Sequence, residues 1–271
     1  MEKDIQLLLV PDVHGRDFWR EPVKENLDKK IVFMGDYVDP FPDENIPADK
    51  VVSTLLEIID LAHDNENVTL LLGNHDAGYG VDPEICQCRR DWRRYGTISE
   101  ILRENIDLFD VAYETTINKK RFLITHAGVH YDSWIKYNTF IFPKGFRVSA
   151  KNLNAMFHSD EPEIRKGFKY ALRDMSHYRG GYESYGSLLW ADLREFARSK
   201  EYNKRKTIQV VAHTRLKGIG INFNDRFYCL DCQRVFYIDS KGTIRYYDTD
   251  EEVAPYVDKE EQQCKGLTSL Q

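Results

Sequence analysis

Leu7-Leu8-Leu9-Val10-Pro11-Asp12-Val13-His14-Gly15 passes from a short apolar run directly into a carboxylate and an imidazole. The same transition recurs four times: residues 31–34 run into Gly35-Asp36-Tyr37-Val38-Asp39, residues 70–72 into Gly73-Asn74-His75-Asp76, residues 122–124 into Thr125-His126, and residues 210–212 into His213. A strand that stops where such a group begins puts that group at the rim of a sheet, and open α/β sheets bind ligands at their strand carboxyl ends. Five converging ends would build a polynuclear metal site.

Asp12 and His14 are separated by one residue, so in an extended segment both side chains point the same way and can share one ion. Asp36 carries two carboxylate oxygens and can bridge two cations. Asn74 offers an amide oxygen, and His126 and His213 offer imidazole nitrogens. This mixed set suits manganese, iron or zinc better than calcium or a thiolate zinc site. His75 adjoins Asn74, and two adjacent residues do not easily ligate one ion, which leaves His75 to serve as a general acid near neutrality. Asp39 would orient that imidazole and hold its protonated form.

Around these motifs the chain alternates strand and helix patterns up to about residue 127. Residues 5–11, 31–34 and 68–72 read as buried strands. Residues 48–63 read as a helix with apolar Val51, Val52, Leu55, Ile58, Ile59 and Ala62 on one face. Residues 82–94, charged and cysteine-bearing, read as a loop or lid over the strand ends, and residues 98–108 as a helix. Residues 111–117 and 121–126 form a hairpin across Asn118-Lys119-Lys120. Residues 127–185 are helical and aromatic, best at 149–157 and 162–175, and are expected to cap the site. After a short helix at 193–199 the chain turns β-rich: 207–212, 218–223, 226–230, 235–238 and 243–247. The expectation is an α/β domain over residues 1–250 and a polar tail over 251–271.

The chain has 271 residues, 42% hydrophobic and 30% charged, with a formal charge of −6. That balance gives no general attraction for nucleic acid or an anionic membrane, though Arg89-Arg90 and Arg93-Arg94 could make a local basic pocket. There is no signal-peptide pattern and no apolar stretch near the roughly 20 residues that span a bilayer, so a cytoplasmic protein is expected. Five cysteines do not make a disulfide framework. Cys86, Cys88, Cys229 and Cys232 could form a four-thiolate zinc site, but alternation in 227–230 buries Cys229 as core. Trp92, Tyr95, Tyr178, Tyr182 and Tyr185 could line a cleft or simply pack. His63, His130, His158 and His177 read as structural or surface residues.

Taken in order, Asp12-Val13-His14-Gly15, Gly35-Asp36-Tyr37-Val38-Asp39, Gly73-Asn74-His75-Asp76, His126-Ala127-Gly128-Val129, Leu189-Trp190-Ala191-Asp192 and Ala212-His213-Thr214 resemble the calcineurin-like metallophosphoesterase superfamily, and within it the bacterial-type phosphoprotein (serine/threonine) phosphatase branch. The resemblance implies a four-layer α/β/β/α sandwich with two divalent ions, manganese first and iron or zinc as alternatives. It implies that Asp12, His14 and Asp36 hold one ion and Asp36, Asn74, His126 and His213 the other, with His75 and Asp39 as acid and partner. Two bridged cations would ionise a shared water, and the hydroxide would attack phosphorus in line.

The chain departs from the family where a phosphate-binding Arg is usual: Pro40 stands there, followed by Phe41 in place of Gly. Arg179, in an Arg-Gly-Gly arrangement like that of bacterial relatives, is the leading replacement, with Arg194 and Arg215 as further candidates. The expected activity is hydrolysis of phosphomonoesters, including phosphoserine or phosphothreonine. Nucleotides, dinucleoside polyphosphates or phosphodiesters are the alternative substrates, and a non-catalytic binding protein on the same fold is the third reading. Phosphorylated substrate is the expected partner, and oligomeric state is left open.

Overall fold

In the computed structural model, which describes residues 3–86 and 88–256, the apolar runs form strands of two sheets. In chain order these are β1 (Leu7–Val10), helix α1 (Arg20–Lys24), β2 (Lys30–Phe33), α2 (Ala48–Asp64), β3 (Val68–Leu71), α3 (Asn74–Gly80), α4 (Tyr95–Glu104), β4 (Phe109–Asp110), β5 (Ala112–Ile117) and β6 (Lys120–Thr125). The helices α5 (Trp134–Tyr137), α6 (Ala150–Phe157), α7 (Pro162–Ala171) and α8 (Leu193–Ser199) follow, then β7 (Ile208–Val211), β8 (Ile221–Phe223), β9 (Phe227–Cys229), β10 (Phe236–Ile238) and β11 (Ile244–Tyr246).

The first sheet runs β11-β10-β1-β2-β3-β4, with β1 to β4 mutually parallel, and the second runs β5-β6-β7-β9-β8, with β6, β7 and β9 parallel. Period-two alternation decides what each face meets. Leu7, Leu9, Val32 and Leu71 on one face of the first sheet pack against Phe122, Ile124 and Val210 of the second. The opposite face sends Leu8, Ile31, Phe33 and Leu70 toward Leu55, Ile58 and Ile59 of α2. The far side of the second sheet buries Val211, Phe227 and Cys229 with Phe196 of α8. Helix, sheet, sheet, helix is the result, the four-layer sandwich the motifs imply.

Several boundaries differ from the sequence reading. Residues 16–30 contain α1, and Asn74, just past the end of β3, opens α3. The hairpin turn has two residues, Asn118 and Lys119, both at positive φ, so Lys120 already belongs to β6. The helix expected over 162–175 ends at Ala171, and the helix at 98–108 starts at Tyr95 and breaks at Glu104. Val253 is fully buried and its N–H donates to the Ile244 carbonyl, which extends the packed domain past residue 250. Most of the expected tail lies outside the described residues. Among the described residues no helix is long and apolar enough to cross a membrane.

Candidate active site

The parallel strands β1, β2 and β3 and the strands β6 and β7 finish at one end of the sandwich, and the residues that follow them meet there. Close approach between the ends of β2 and β3 is possible because both turn residues are glycines. A Cβ on Gly35, at φ +102, would sit 2.4 Å from the Gly73 nitrogen, and one on Gly73 would sit 2.1 Å from Asp36 Oδ1. Asp36 therefore lies against the first turn of α3, where Oδ1 accepts the His75 N–H at 3.0 Å. Its Oδ2 is left facing two imidazoles, 3.7 Å from His14 Nε2 and 3.6 Å from His126 Nε2.

Each imidazole is turned by a backbone carbonyl. His14 Nδ1 donates to the Val38 carbonyl, and His126 Nδ1 donates to the Met34 carbonyl at 2.9 Å, so both Nε2 atoms present lone pairs inward. His126 Nε2 stands 3.0 Å from Asn74 Oδ1 and 3.1 Å from His213 Nδ1. Asn74 is itself oriented, its Nδ2 donating to Cys86 Sγ at 3.4 Å. Asp12 Oδ1 accepts the His213 N–H at 3.1 Å, and its Oδ2 is 3.9 Å from His14 Nε2. His14, Asp36, Asp39 and His213 all adopt positive φ. Such strain in non-glycine residues persists only where the surroundings enforce it and gathers at working sites.

This donor set fits a pair of cations. Asp12, His14 and Asp36 form one group whose ligand atoms can reach a common ion, and Asp36, His126 and His213 form a second, sharing Asp36. Burial lowers the pKa of His14, His126 and His213 and so works toward the neutral, ligating form, with the Asp36 carboxylate opposing it at His14 and His126. Burial raises the Asp12 carboxyl well above the usual range, with Asp231 and Asp36 adding to the effect. Asp36 goes the other way: burial pushes it up, but His126, His75 and His14 outweigh that and hold it down at about 2. Asp12, Asp36 and Asp231 bring three buried carboxyl groups together, and divalent ions relieve the charge they would carry.

His75 lies beside this cradle with its Nδ1 donating to Asp39 Oδ2 at 2.7 Å. Asp39 is fixed in turn, because Oδ1 accepts the Tyr79 hydroxyl at 2.7 Å. Burial works against a charge on His75, but the Asp36 and Asp39 carboxylates hold its pKa well above the ordinary value. Asp76 accepts N–H groups from Asp36 at 2.7 Å, Tyr37 at 2.9 Å and Gly73 at 3.0 Å. It thus ties the two glycine turns together from within α3.

The cleft over these groups has a volume of ≈ 520 Å³. Of the three arginines singled out from the sequence, Arg179 reaches it with Nε 2.7 Å from Asp192 Oδ2 and Nη2 donating to Thr214 Oγ1 at 2.6 Å. Arg194 also lines it, but pairs with the same Asp192 through both carboxylate oxygens and points largely to solvent. Arg215 lies over the Phe41 ring, 4.2 Å from its centroid. Among residues 127–185 Arg179 is the one in the lining, while α6 and α7 build a separate apolar groove around Phe140, Ile141 and Phe146.

Two further groups line the cleft: Arg89, read from the sequence only as part of a possible basic pocket, and Asp231, which was not singled out. Arg89 also stacks on Phe41, 3.7 Å from the ring centroid, donates through Nη1 to the Asp39 carbonyl at 3.0 Å, and brings Nη2 to 2.8 Å from His75 Nε2. The carbonyl it holds is the one that precedes Pro40. Its loop is pinned to α3 by buried Arg90, which donates to the carbonyls of Gly78, Pro83 and Cys86. Asp231 lines the cleft two residues beyond β9, where the rule of strand ends would have found it. The four-thiolate site does not assemble: Cys86 and Cys88 group with His75, while buried Cys229 donates to the Ala212 carbonyl.

A family profile described as calcineurin-like phosphoesterase matches residues 5–239. Among solved structures, the cold-active protein-tyrosine phosphatase of a psychrophilic Shewanella species is similar at TM-score 0.52 and 16% identity, covering 93% of this chain and 81% of that one. A second structure of a cold-active protein tyrosine phosphatase gives TM-score 0.49 at 15% identity over 90% of this chain and 79% of that one. At these identities the likeness is one of fold. No curated protein matches the chain in sequence.

Proposed function

Because the chain belongs to the calcineurin-like phosphoesterase family, whose members are metal-dependent hydrolases, we propose that it hydrolyses phosphomonoesters, phosphoserine and phosphothreonine among them. The observation that carries this reading is the meeting of a carboxylate-held imidazole with guanidinium groups in one cleft: His75 on Asp39, with Arg89, Arg179 and Arg215 around the same opening. A monoester dianion presents more terminal oxygens and more charge than a diester, and several guanidinium forks match it better.

Asp12, His14, Asp36, Asn74, His126 and His213 would hold two divalent ions, manganese first and iron or zinc as alternatives. The ions, when bound, supply an activated water and neutralise charge on the phosphoryl oxygens. Asp36 faces both halves of the cradle and sets their spacing. Arg89 and Arg179, both in the lining of the cleft, would orient the terminal oxygens and so fix the phosphorus for in-line attack. His75 Nε2–H delivers its proton to the departing alkoxide, while Asp39 keeps Nδ1 occupied and the ring aimed. Asp192 holds Arg179 extended and leaves Arg194 a supporting part.

A panel run with manganese tests the reading: an aryl phosphate, its bis-ester, phosphoserine peptides and a dinucleoside tetraphosphate. Preference for the monoesters is the expected result. Preference for the bis-ester or the tetraphosphate would replace it with a diesterase or nucleotide hydrolase.

A further inference from the structure

Beside the cradle, two thiols flank the His75 ring on the loop that carries Arg89. Cys86 is buried and Cys88 exposed. Their Sγ atoms are 3.3 Å apart; Cys88 Sγ is 3.8 Å from His75 Nε2, and Cys86 Sγ is 3.8 Å from Nδ1. Donor atoms around a tetrahedral zinc, with Zn–S near 2.3 Å and Zn–N near 2.0–2.1 Å, are separated by roughly 3.4–3.8 Å. One ligand atom from each of the three groups lies within 4.8 Å of the others, so a small shift of the Cys86 thiol toward Nε2 would bring all three onto one ion. The Asp39 carboxylate on His75 Nδ1 supplies the outer contact that a zinc-bound histidine usually has, fixing the ring and raising its basicity.

We propose that His75 Nε2 and the Sγ atoms of Cys86 and Cys88 form an inhibitory site for a thiophilic divalent cation such as zinc, separate from the oxygen- and nitrogen-lined cradle. The ion and the Arg89 guanidinium exclude each other, because Nη2 occupies the approach to the same nitrogen at 2.8 Å. With no ion bound, Arg89 can turn its fork from Nε2 onto a phosphoryl oxygen, and His75 is then free to carry and donate a proton. With the ion in place, its lone pair is committed, Arg89 is expelled from the Asp39 carbonyl, and the loop is held by two thiolates. Softness makes the selection: sulfur donors favour zinc over manganese, so the activating and the inhibiting ions need not compete for the same place. The metal site stands on geometry alone, while its inhibitory effect rests on the reading of His75 as proton donor.

Cobalt(II) added to the manganese-loaded full chain tests the site, because a thiolate ligand gives a near-ultraviolet charge-transfer band that oxygen and nitrogen ligands do not. The expected result is a band that saturates with one cobalt, is bleached by zinc, and is lost in Cys88→Ser, a change at an exposed position that spares the core, as well as in Cys86→Ser. No band in the unsubstituted chain, or a band that survives in the double variant, would overturn the proposal. In parallel, zinc should slow phosphoserine-peptide hydrolysis by the unsubstituted chain at least tenfold more than by Cys88→Ser, since exchange of zinc into the cradle affects both equally. Equal slowing would overturn the inhibitory role. Whether His75 is the proton donor is decided separately by His75→Asn: equal losses on phosphoserine peptide and aryl phosphate would remove that reading and leave the metal site standing.

Discussion

His75 and Asp39, 36 positions apart in sequence, meet as a buried pair at 2.7 Å, with the Asp39 carboxylate further held by the Tyr79 hydroxyl. The pair fixes which nitrogen faces the cleft. Replacing His75 by Asn should slow hydrolysis of phosphoserine peptides by about 10²–10⁴-fold, the range of general-acid catalysis, and slow activated aryl phosphates far less, because their leaving groups depart without a proton. Equal losses on both substrates would remove the assignment.

The same pair sets a pH limit. Asp36 and Asp39 hold the His75 pKa above its ordinary value against the effect of burial, so the acid form persists to higher pH than a free imidazole would allow. In Asp39→Asn one of those carboxylates is gone, and the alkaline limb of kcat on phosphoserine peptide should move to lower pH. A limb that stays in place would show that Asp39 does not tune the imidazole.

Asp36 Oδ2 lies between His14 Nε2 and His126 Nε2, at 3.7 and 3.6 Å. Asp36→Asn should therefore deplete both ions together in metal analysis. Retention of one ion at full occupancy would contradict a bridging role.

Arg89 donates to the backbone carbonyl just before Pro40 and stacks on Phe41. If it substitutes for the guanidinium that the family carries at the Pro40 position, Arg89→Ala should cost about 2–3 kcal/mol in kcat/KM for a monoester dianion, as expected for loss of a charge-assisted contact. The bis-ester should be less affected. A Lys at the same position should recover only part of the loss, because it lacks the planar fork.

Away from the cleft, His130 is buried between Glu195, 3.2 Å from Nε2, and Glu201, 3.7 Å from Nδ1, and stacks on Phe196. Burial opposes its charge, but the two carboxylates outweigh that and raise its pKa, while Glu201 is held down at about 2 and Glu195 is also lowered. The histidine's contribution is complete below its unfolded pKa of about 6.5 and fades as pH rises through the raised folded value; the glutamates' contribution is complete above about 4.5 and fades as pH falls through their lowered values. His130→Ala, which strands two buried carboxylates, should cost about 3–5 kcal/mol in denaturant unfolding, with the largest difference from about pH 4.5 to 6.5. A pH-independent difference would point to packing on Phe196 alone.

The core of the site was legible because its chemistry follows the strands. Asp12, Asp36, His126 and His213 each come within three residues of a strand end, and an apolar run ending on a polar ligand is visible without a structure. Asn74 and His75 were readable as ligand types, but not as the first turn of α3, since Gly73-Asn74-His75-Asp76 is equally good turn sequence. Arg89 could not be picked from Arg89-Arg90-Asp91-Trp92-Arg93-Arg94 because its role depends on a positive φ and on Phe41 from another loop. His130 looked structural for want of neighbours, and its partners lie 65 and 71 residues on, in α8 and just beyond it. Long-range pairing of that kind leaves no periodic trace in one sequence.

Six side chains are proposed to hold two divalent ions that share the Asp36 carboxylate. Anomalous diffraction from a crystal grown with excess manganese is the decisive measurement. Two peaks are predicted, one among Asp12, His14 and Asp36 and the other among Asp36, Asn74, His126 and His213. A single peak remote from Asp36, or none in the cleft, would contradict the account.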